Sequence, residues 1–411
     1  MKFRAEPDAL AEAVAWVARE LPSRPVVPVL SGLRLQAGAG ELALSCFDYD
    51  LAATAHLAAE VSEPGTALVP GRLLAEITRS LPSQPVEVIT DGDEVSLACG
   101  SAEFTLVSLP LAEYPAPPPP PPPSAAIDGA ELAVAIGQVL PAASRDDTLP
   151  VLTAVSLDVH GDLLTLAATD RYRLAVRHLR WQPHDPQLRT IALVPAKTLA
   201  DAARMMAPGV PVTVALPAAP DSPAGGGQAG GRADPHPAEG MASFESGGRR
   251  LAGRLLAGEF LRYESRFPAE FSSQAELTAA SFTEAVRRVS LVADRASPVR
   301  LTFGDGRVVV EAQTEGRARA VETVTASFHG DAPSIAFNPH FLLDGLTAAS
   351  AGPGAPAEDG TAATTIRLQF TSPAKPALIT LAEGADDGAH DAGQPSFRYL
   401  VVPLRPPGGT G

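Results

Sequence analysis

The chain has 411 residues, is 45% apolar and carries a formal net charge of −15. That length holds two to four domains, and no stretch approaches the ~20 apolar residues of a membrane helix. Strong overall acidity disfavours a broad nucleic-acid surface, so any such surface must be local.

The N-terminus mixes Arg4, Glu6 and Asp8 and lacks an apolar leader region, which implies a cytoplasmic protein. Residues 6–21 read as a helix, with Leu10, Val14, Val17, Ala18 and Leu21 on one face and Pro22 stopping it. Strands follow near 27–36, 41–47, 50–58 and 66–69, then a helix from Gly71 to Leu81, then strands near 85–90, 94–99 and 103–108. Cys46 and Cys99, the only cysteines, fall on strands and read as buried free thiols. Seven consecutive prolines, Pro117–Pro123, read as a stiff linker rather than a ligand for proline-binding modules.

Beyond the linker the pattern restarts. A helix is expected over 129–140, strands through 149–176, a helix from Lys197 to Met206 and a strand from Val212 to Leu216. Residues 217–240 are rich in Gly, Pro and Ala, without periodicity, and read as a disordered loop inserted in a hairpin. A third round opens with a helix from Ser281, a plausible N-cap with Glu284 three residues on, to about Asp294. Strands at 299–303, 307–312 and 318–326, a helix at 339–348, flexible loops at 352–360 and 384–394, and a strand from Phe397 to Leu404 complete it.

The rounds are related. Pro28-Val29-Leu30-Ser31-Gly32-Leu33-Arg34-Leu35 matches Pro150-Val151-Leu152-Thr153-Ala154-Val155-Ser156-Leu157, and Pro298-Val299-Arg300-Leu301 is a weaker echo. Leu68-Val69-Pro70-Gly71-Arg72 matches Leu193-Val194-Pro195-Ala196-Lys197, with a third copy at Ile335–Leu342. The spacing is too long for a solenoid and implies three copies of a whole α+β domain, over 1–122, 125–269 and 273–406, with a tail at 407–411. Each copy has two helices on antiparallel sheets.

Nothing points to catalysis. The chain lacks a phosphate-binding glycine loop after a strand, a nucleophile elbow and a zincin motif, and its eight histidines are scattered. Asp146-Asp147 reads as a loop cap rather than half of a metal site. No cofactor or metal is expected.

One corner stands out: Thr169-Asp170-Arg171-Tyr172-Arg173-Leu174, with two arginines and a tyrosine between apolar strands. This stretch, with Met1-Lys2-Phe3, Arg24-Pro25, Gly258-Glu259-Phe260, Phe267-Pro268, Phe337-Asn338 and the ending Tyr399-Leu400-Val401-Val402-Pro403-Leu404-Arg405, resembles the bacterial DNA sliding clamp, the β subunit of DNA polymerase III. The resemblance covers nearly the whole chain and looks actinobacterial and somewhat divergent, in keeping with only three lysines among 32 basic residues.

The resemblance implies a non-catalytic processivity factor. Two chains would close head to tail around double-stranded DNA, twelve helices inside and sheets outside. It places phosphate contacts at Arg24, Arg72, Arg79, Lys197, Arg204, Arg287, Arg288 and Arg295; these carry no sequence information. It also implies a hydrophobic cleft for short linear motifs of polymerases and clamp-loader subunits. That cleft comprises Leu152, Thr169, Arg171, Tyr172, Arg173, Leu174, Leu261, Arg266, Leu400, Val401, Val402, Pro403, Leu404 and Arg405. Leu261 stands where the family usually has proline. The dimer seam is expected at Glu103, Phe104 and Leu106 on one side and Leu291, Arg317 and Arg319 on the other, with at least part of the usual charge pattern reversed. A specialised clamp paralogue, or a peptide-binding scaffold that does not encircle DNA, is the competing reading.

Overall fold

Pro28 and Pro150 each open a single 3-10 turn, Pro28–Ser31 and Pro150–Thr153, where strand was expected. Proline fixes φ and supplies no N–H for a sheet ladder; Leu30 N donates to Val27 O at 3.1 Å and Leu152 N to Leu149 O at 2.9 Å. The strands proper start at Gly32 and Ala154. The computed structural model describes residues 1–217, 240–293, 297–304, 306–314, 316–331, 333–351, 364–382 and 395–404. Apart from its two ends, the insert expected at 217–240 lies outside them. So do the two loops, the tail, and Arg295 and Arg405.

Six α-helices occur among the described residues: α1 Pro7–Arg19, α2 Gly71–Ser80, α3 Gly129–Val139, α4 Ala196–Ala203, α5 Ala279–Ser290 and α6 Pro339–Ser350. α1 ends short of Pro22 and buries Leu10, Val14, Trp16 and Val17. α4 stops before Met206. α5 starts two residues earlier than expected: Thr278 holds the N-cap position, and the Ser281 hydroxyl donates to Thr278 O at 3.1 Å. Ser281 is therefore inside the first turn, and Glu284 pairs with Arg287 instead of closing a capping box. α6 is capped as a helix should be, Asn338 Oδ1 accepting from His340 N at 2.9 Å.

The chain divides into two units. The first comprises Met1–Gly129, Arg204–Pro217 and Glu239–Leu255, and the second chiefly Ala130–Ala203 and Leu256–Gly411. Strands of the central copy are thus shared out between them. In the first unit the sheet order is Ala125–Asp128, Pro211–Ala215, Met241–Ser246, Arg249–Arg254, Leu51–Ala58, Glu41–Phe47, Gly32–Gly38, Gly65–Pro70. A second sheet there joins Lys2–Ala5 and Glu60–Glu63, both unforeseen, to Val86–Asp91, Glu94–Cys99 and the edge strand Ala102–Val107. In the second unit one nine-stranded sheet links the central strands Arg189–Pro195, Ala154–His160, Leu163–Thr169 and Arg173–Arg180 to Phe397–Val401, Ala377–Leu381, Thr365–Phe370, Ser273–Thr278 and Ser327–Gly330. A four-stranded sheet ends in the edge strand Ala318–Thr325.

Both large sheets contain the same corner. Tyr49 and Arg171 adopt positive φ, 77° and 79°, a conformation that costs a side-chain-bearing residue about 1 kcal/mol or more. An aspartate precedes each and holds the turn. Asp48 Oδ1 accepts from Asp50 N at 3.1 Å and Leu51 N at 2.8 Å; Asp170 Oδ1 accepts from Tyr172 N at 3.0 Å and Arg173 N at 3.1 Å. The neighbouring strand then docks alike, Arg254 N on Asp50 O at 2.7 Å and Val402 N on Tyr172 O at 2.8 Å.

Candidate functional site

The second corner is where an apolar cleft forms. Strand Arg173–Arg180 pairs with Phe397–Val401 so that Leu174 lies opposite Leu400. Both are buried, in one cluster with Ala167, Val176 and Leu378, and Phe260, Tyr263, Phe267 and Phe271 pack against it. Above them is a cavity of about 320 Å3 lined by Thr169, Arg171, Arg173, Leu174, Leu261, Arg266, Pro376, Leu400 and Val402. Its floor is aliphatic and its rim carries guanidinium groups. Such a site seats an apolar anchor while offering donors to the carbonyls or acids of the same segment.

The arginines of the rim differ. Arg171 and Arg266 form no ion pair among the described residues. Arg173 is a strut, 11% exposed, donating through Nε to Asp170 Oδ2 at 2.9 Å and through Nη1 to Asp344. Its guanidinium carbon sits 4.5 Å from the centre of the Phe341 ring, on which Tyr172 also stacks. Burial alone disfavours the Arg173 charge, but Tyr399, Asp344 and Asp170 outweigh it and hold the group protonated above its ordinary range. Thr169 Oγ1 accepts from Arg171 N at 3.2 Å and donates to Arg173 O at 2.6 Å, which locks the corner internally.

Five expected cleft residues do not line the cavity. Val401 alternates to the opposite face of its strand and is fully buried, as period-2 geometry requires. The strand ends at Val401 rather than Leu404; Leu404 is 39% exposed and its N–H donates to Ala336 O at 2.7 Å. Leu152 is half-buried in the 3-10 turn, Pro403 is buried, and Tyr172 is exposed beside the cavity. Arg405 lies outside the described residues. Pro376, which does line the cavity, was missed; nothing in its sequence context separates it from a loop proline before a strand.

The basic residues expected to face DNA are dispersed. Arg24 is exposed in the loop after α1, and Arg79 ends α2. Arg72 donates to Pro22 O at 3.2 Å, tying α2 to that loop. Lys197 is exposed in the first turn of α4, and Arg204 just beyond its end. Arg287 and Arg288 lie on α5 but are matched by acids: Arg287 pairs with Glu284, and Arg288 Nη2 with Glu322 at 2.5 Å.

The expected seam residues sit on two sheet edges. Glu103 is exposed and Phe104 half-buried on Ala102–Val107, but Leu106 is buried within its own unit. Alternation instead turns Val107 outward, 69% exposed. Leu291 is 82% exposed after α5. Arg317 precedes the edge strand Ala318–Thr325, and Arg319 on it pairs with Glu311 at 2.7 Å.

Known proteins settle the family. Models for the N-terminal, central and C-terminal domains of the DNA polymerase III beta subunit match residues 1–118, 126–261 and 264–392. The chain belongs to that family. It is 47% identical to the beta sliding clamp of Streptomyces coelicolor, covering 98% of this chain and 99% of that one, and 43% identical to the clamp of Micrococcus luteus, covering 79% and 98%. The beta sliding clamp homolog GriR of Streptomyces muensis is 39% identical over 98% of this chain and 99% of its own. Among solved structures, the Bacillus subtilis sliding clamp superposes with a TM-score of 0.84 at 23% identity, covering 99% of each chain. The protein is thus a sliding clamp, a processivity subunit of a DNA polymerase and not a catalyst. Among the described residues no helix is long and apolar enough to cross a membrane.

Proposed function

We propose that two copies close head to tail into a ring around duplex DNA, and that the 320 Å3 cleft tethers polymerase and clamp-loader subunits by their short linear motifs. The observation that carries the docking role is the aliphatic Leu174–Leu400 floor left open under an arginine rim. A peptide scaffold that ignores DNA would be distinguished by topology. Clamp loaded on nicked circular DNA is expected to stay through gel filtration and to leave once the circle is cut; equal loss from both would end the ring reading. A clamp that acts on chromosomal DNA would work in the cytoplasm.

Arg24, Arg79 and Lys197 are the exposed cations most available to phosphate. Each phosphate contact contributes about 0.9 to the salt slope of duplex binding. Replacing Arg24 and Lys197 by alanine together removes four cations from a two-copy ring and should flatten that slope by up to roughly 4, whatever the DNA sequence. An unaltered slope in a fluorescence titration against salt would remove both residues from the DNA path. Arg287 and Arg288, already held by Glu284 and Glu322, should contribute less.

At the seam, Glu103 on the first edge faces a partner edge carrying Arg317 and Arg319 in this arrangement. Rim pairs contribute about 0–1 kcal/mol each, and the ring contains two seams. Counting one pair at each of the two seams, Glu103→Arg should weaken the dimer by up to about 2 kcal/mol, roughly thirtyfold, and adding Arg317→Glu with Arg319→Glu should restore it. Identical dissociation constants by analytical ultracentrifugation for all variants would exclude this pairing.

A further inference from the structure

The first unit has a groove that the clamp reading does not use. It lies on the face of the sheet formed by Gly32–Gly38, Glu41–Phe47 and Leu51–Ala58, and has a volume of about 460 Å3, larger than the cleft. That size is ordinary for a small-molecule or short-peptide site. Its floor follows from sheet register. Arg34 lies opposite Ser45 and Ser45 opposite Thr54; in the next row Gln36 lies opposite Ala43 and Ala43 opposite His56. The small residues Gly38, Ala43, Ser45 and Ala52 leave the depression, and Phe47, Tyr114 and Pro117 wall one end.

The corresponding face of the second unit is partly covered, because Phe260, Tyr263 and Phe267 pack against its apolar cluster and leave only the cleft beside them. In the first unit Leu109 and Tyr114 pack instead on Val29, Leu30 and Leu68. Tyr114 is pinned by its hydroxyl, which accepts from Phe47 N at 2.7 Å. The chain then leaves as the proline run, which cannot double back over the sheet.

What remains in the groove is a donor set with nothing to donate to. Arg34 forms no ion pair among the described residues, and its Nε is buried without a hydrogen-bond partner. An unpaired buried guanidinium N–H is costly and is normally satisfied. The hydroxyls of Ser45 and Thr54 and the amide of Gln36 stand in the adjacent register positions. Glu41, the acid of the lining, is engaged at the far end by His56 Nδ1 at 3.4 Å. Guanidinium plus hydroxyls matches a carboxylate, which takes bidentate donation from arginine.

We propose that this groove binds a carboxylate-bearing ligand, with Arg34 holding the carboxylate and Ser45 and Thr54 flanking it. The shared chemistry has two sources, a free small acid or an acidic side chain on an extended peptide, and the probes separate them. The full-length protein is titrated with glutarate, with the capped tripeptide acetyl-Ala-Glu-Ala-amide, and with its Gln counterpart, followed by heteronuclear NMR at low salt. Saturable shifts confined to strands 32–38, 41–47 and 51–58 are expected with glutarate, the Glu peptide or both, and none with the Gln peptide. Glutarate alone identifies a free acid, whereas binding of the Glu peptide identifies a side chain. Arg34→Gln should weaken binding by about tenfold or more. Ala43→Leu, which keeps the charge but fills the floor, should do the same. Both positions are half-buried in the groove, and matching thermal melts check the fold. No saturable shift with either acid, equal shifts with the Gln peptide, or affinity unaffected by both variants would overturn the proposal.

Discussion

Leu174→Asp is expected to lower the affinity of a polymerase-derived motif peptide by more than about a hundredfold. Leu174 is 5% exposed and sits opposite Leu400 at the floor of the cleft. A bound apolar anchor would close water away from the new carboxylate, and an unpaired charge in such a place costs several kcal/mol, each 1.4 kcal/mol being a factor of ten. The nearest cations do not rescue it. Arg173 is already committed to Asp170 and Asp344; Arg171 and Arg266 are at the rim, where water competes. Since Leu174 also belongs to the cluster with Val176 and Leu378, Leu174→Ala is the companion variant. It keeps the site neutral and should lose roughly tenfold through apolar contact alone. Fluorescence anisotropy decides the matter: unchanged affinity in the aspartate variant, with a folded protein by circular dichroism, would sink the docking assignment.

Leu291→Asp is expected to break the ring. At 82% exposure Leu291 is among the barest large apolar side chains described, with Val107 at 69% and Val321 at 49%, and these last two lie on open sheet edges. Exposed strand edges with apolar side chains are interaction surfaces. A ring of two copies has two identical seams, so one substitution is felt twice. Losing burial of one leucine costs about 1.5–3 kcal/mol per seam, hence about 3–6 kcal/mol per ring and a dimer dissociation constant raised roughly 10²- to 10⁴-fold. Light scattering across a dilution series reads this directly. Retention on circular DNA should vanish in parallel, while peptide affinity at the cleft stays as it was. A dimer of undiminished strength would place the seam elsewhere.

Local chemistry explains what could be read in advance. Helices with strong apolar stripes, such as α1 and α2, were legible because Leu10, Val14 and Val17, or Leu74 and Ile77, recur at helical spacing. The repeat exposed the three copies, and the corner at Asp170 was visible as polar residues between apolar strands. Facing was harder. The resemblance places Val401 in the cleft and Leu106 at the seam, yet each points to its own interior, because a one-residue step in a strand exchanges the two faces. Arg173 reads as a rim cation, but Asp344, which anchors it, is 171 residues away. The division of the central copy between two sheets was also hidden. It depends on Arg249–Arg254 pairing with Leu51–Ala58 and on Phe397–Val401 pairing with Arg173–Arg180, neither of which is local.

The duplicated corner amounts to a control experiment carried within one molecule. Tyr49 and Arg171 share the same left-handed backbone, the same aspartate clasp and the same docking strand. At the corner itself the difference lies in the side chains. Where one has Leu174 opposite Leu400, the other has Ala52 opposite Ala252; where one has Val402, the other has Arg254, whose Nε is 3.1 Å from Asp50 Oδ1. On the proposed docking role, three side-chain identities rather than the scaffold would make one corner a receptor for apolar motifs. The valency of each protomer toward apolar motifs is accordingly one, so a two-protomer ring would offer two berths, and a third client must wait for one to be vacated.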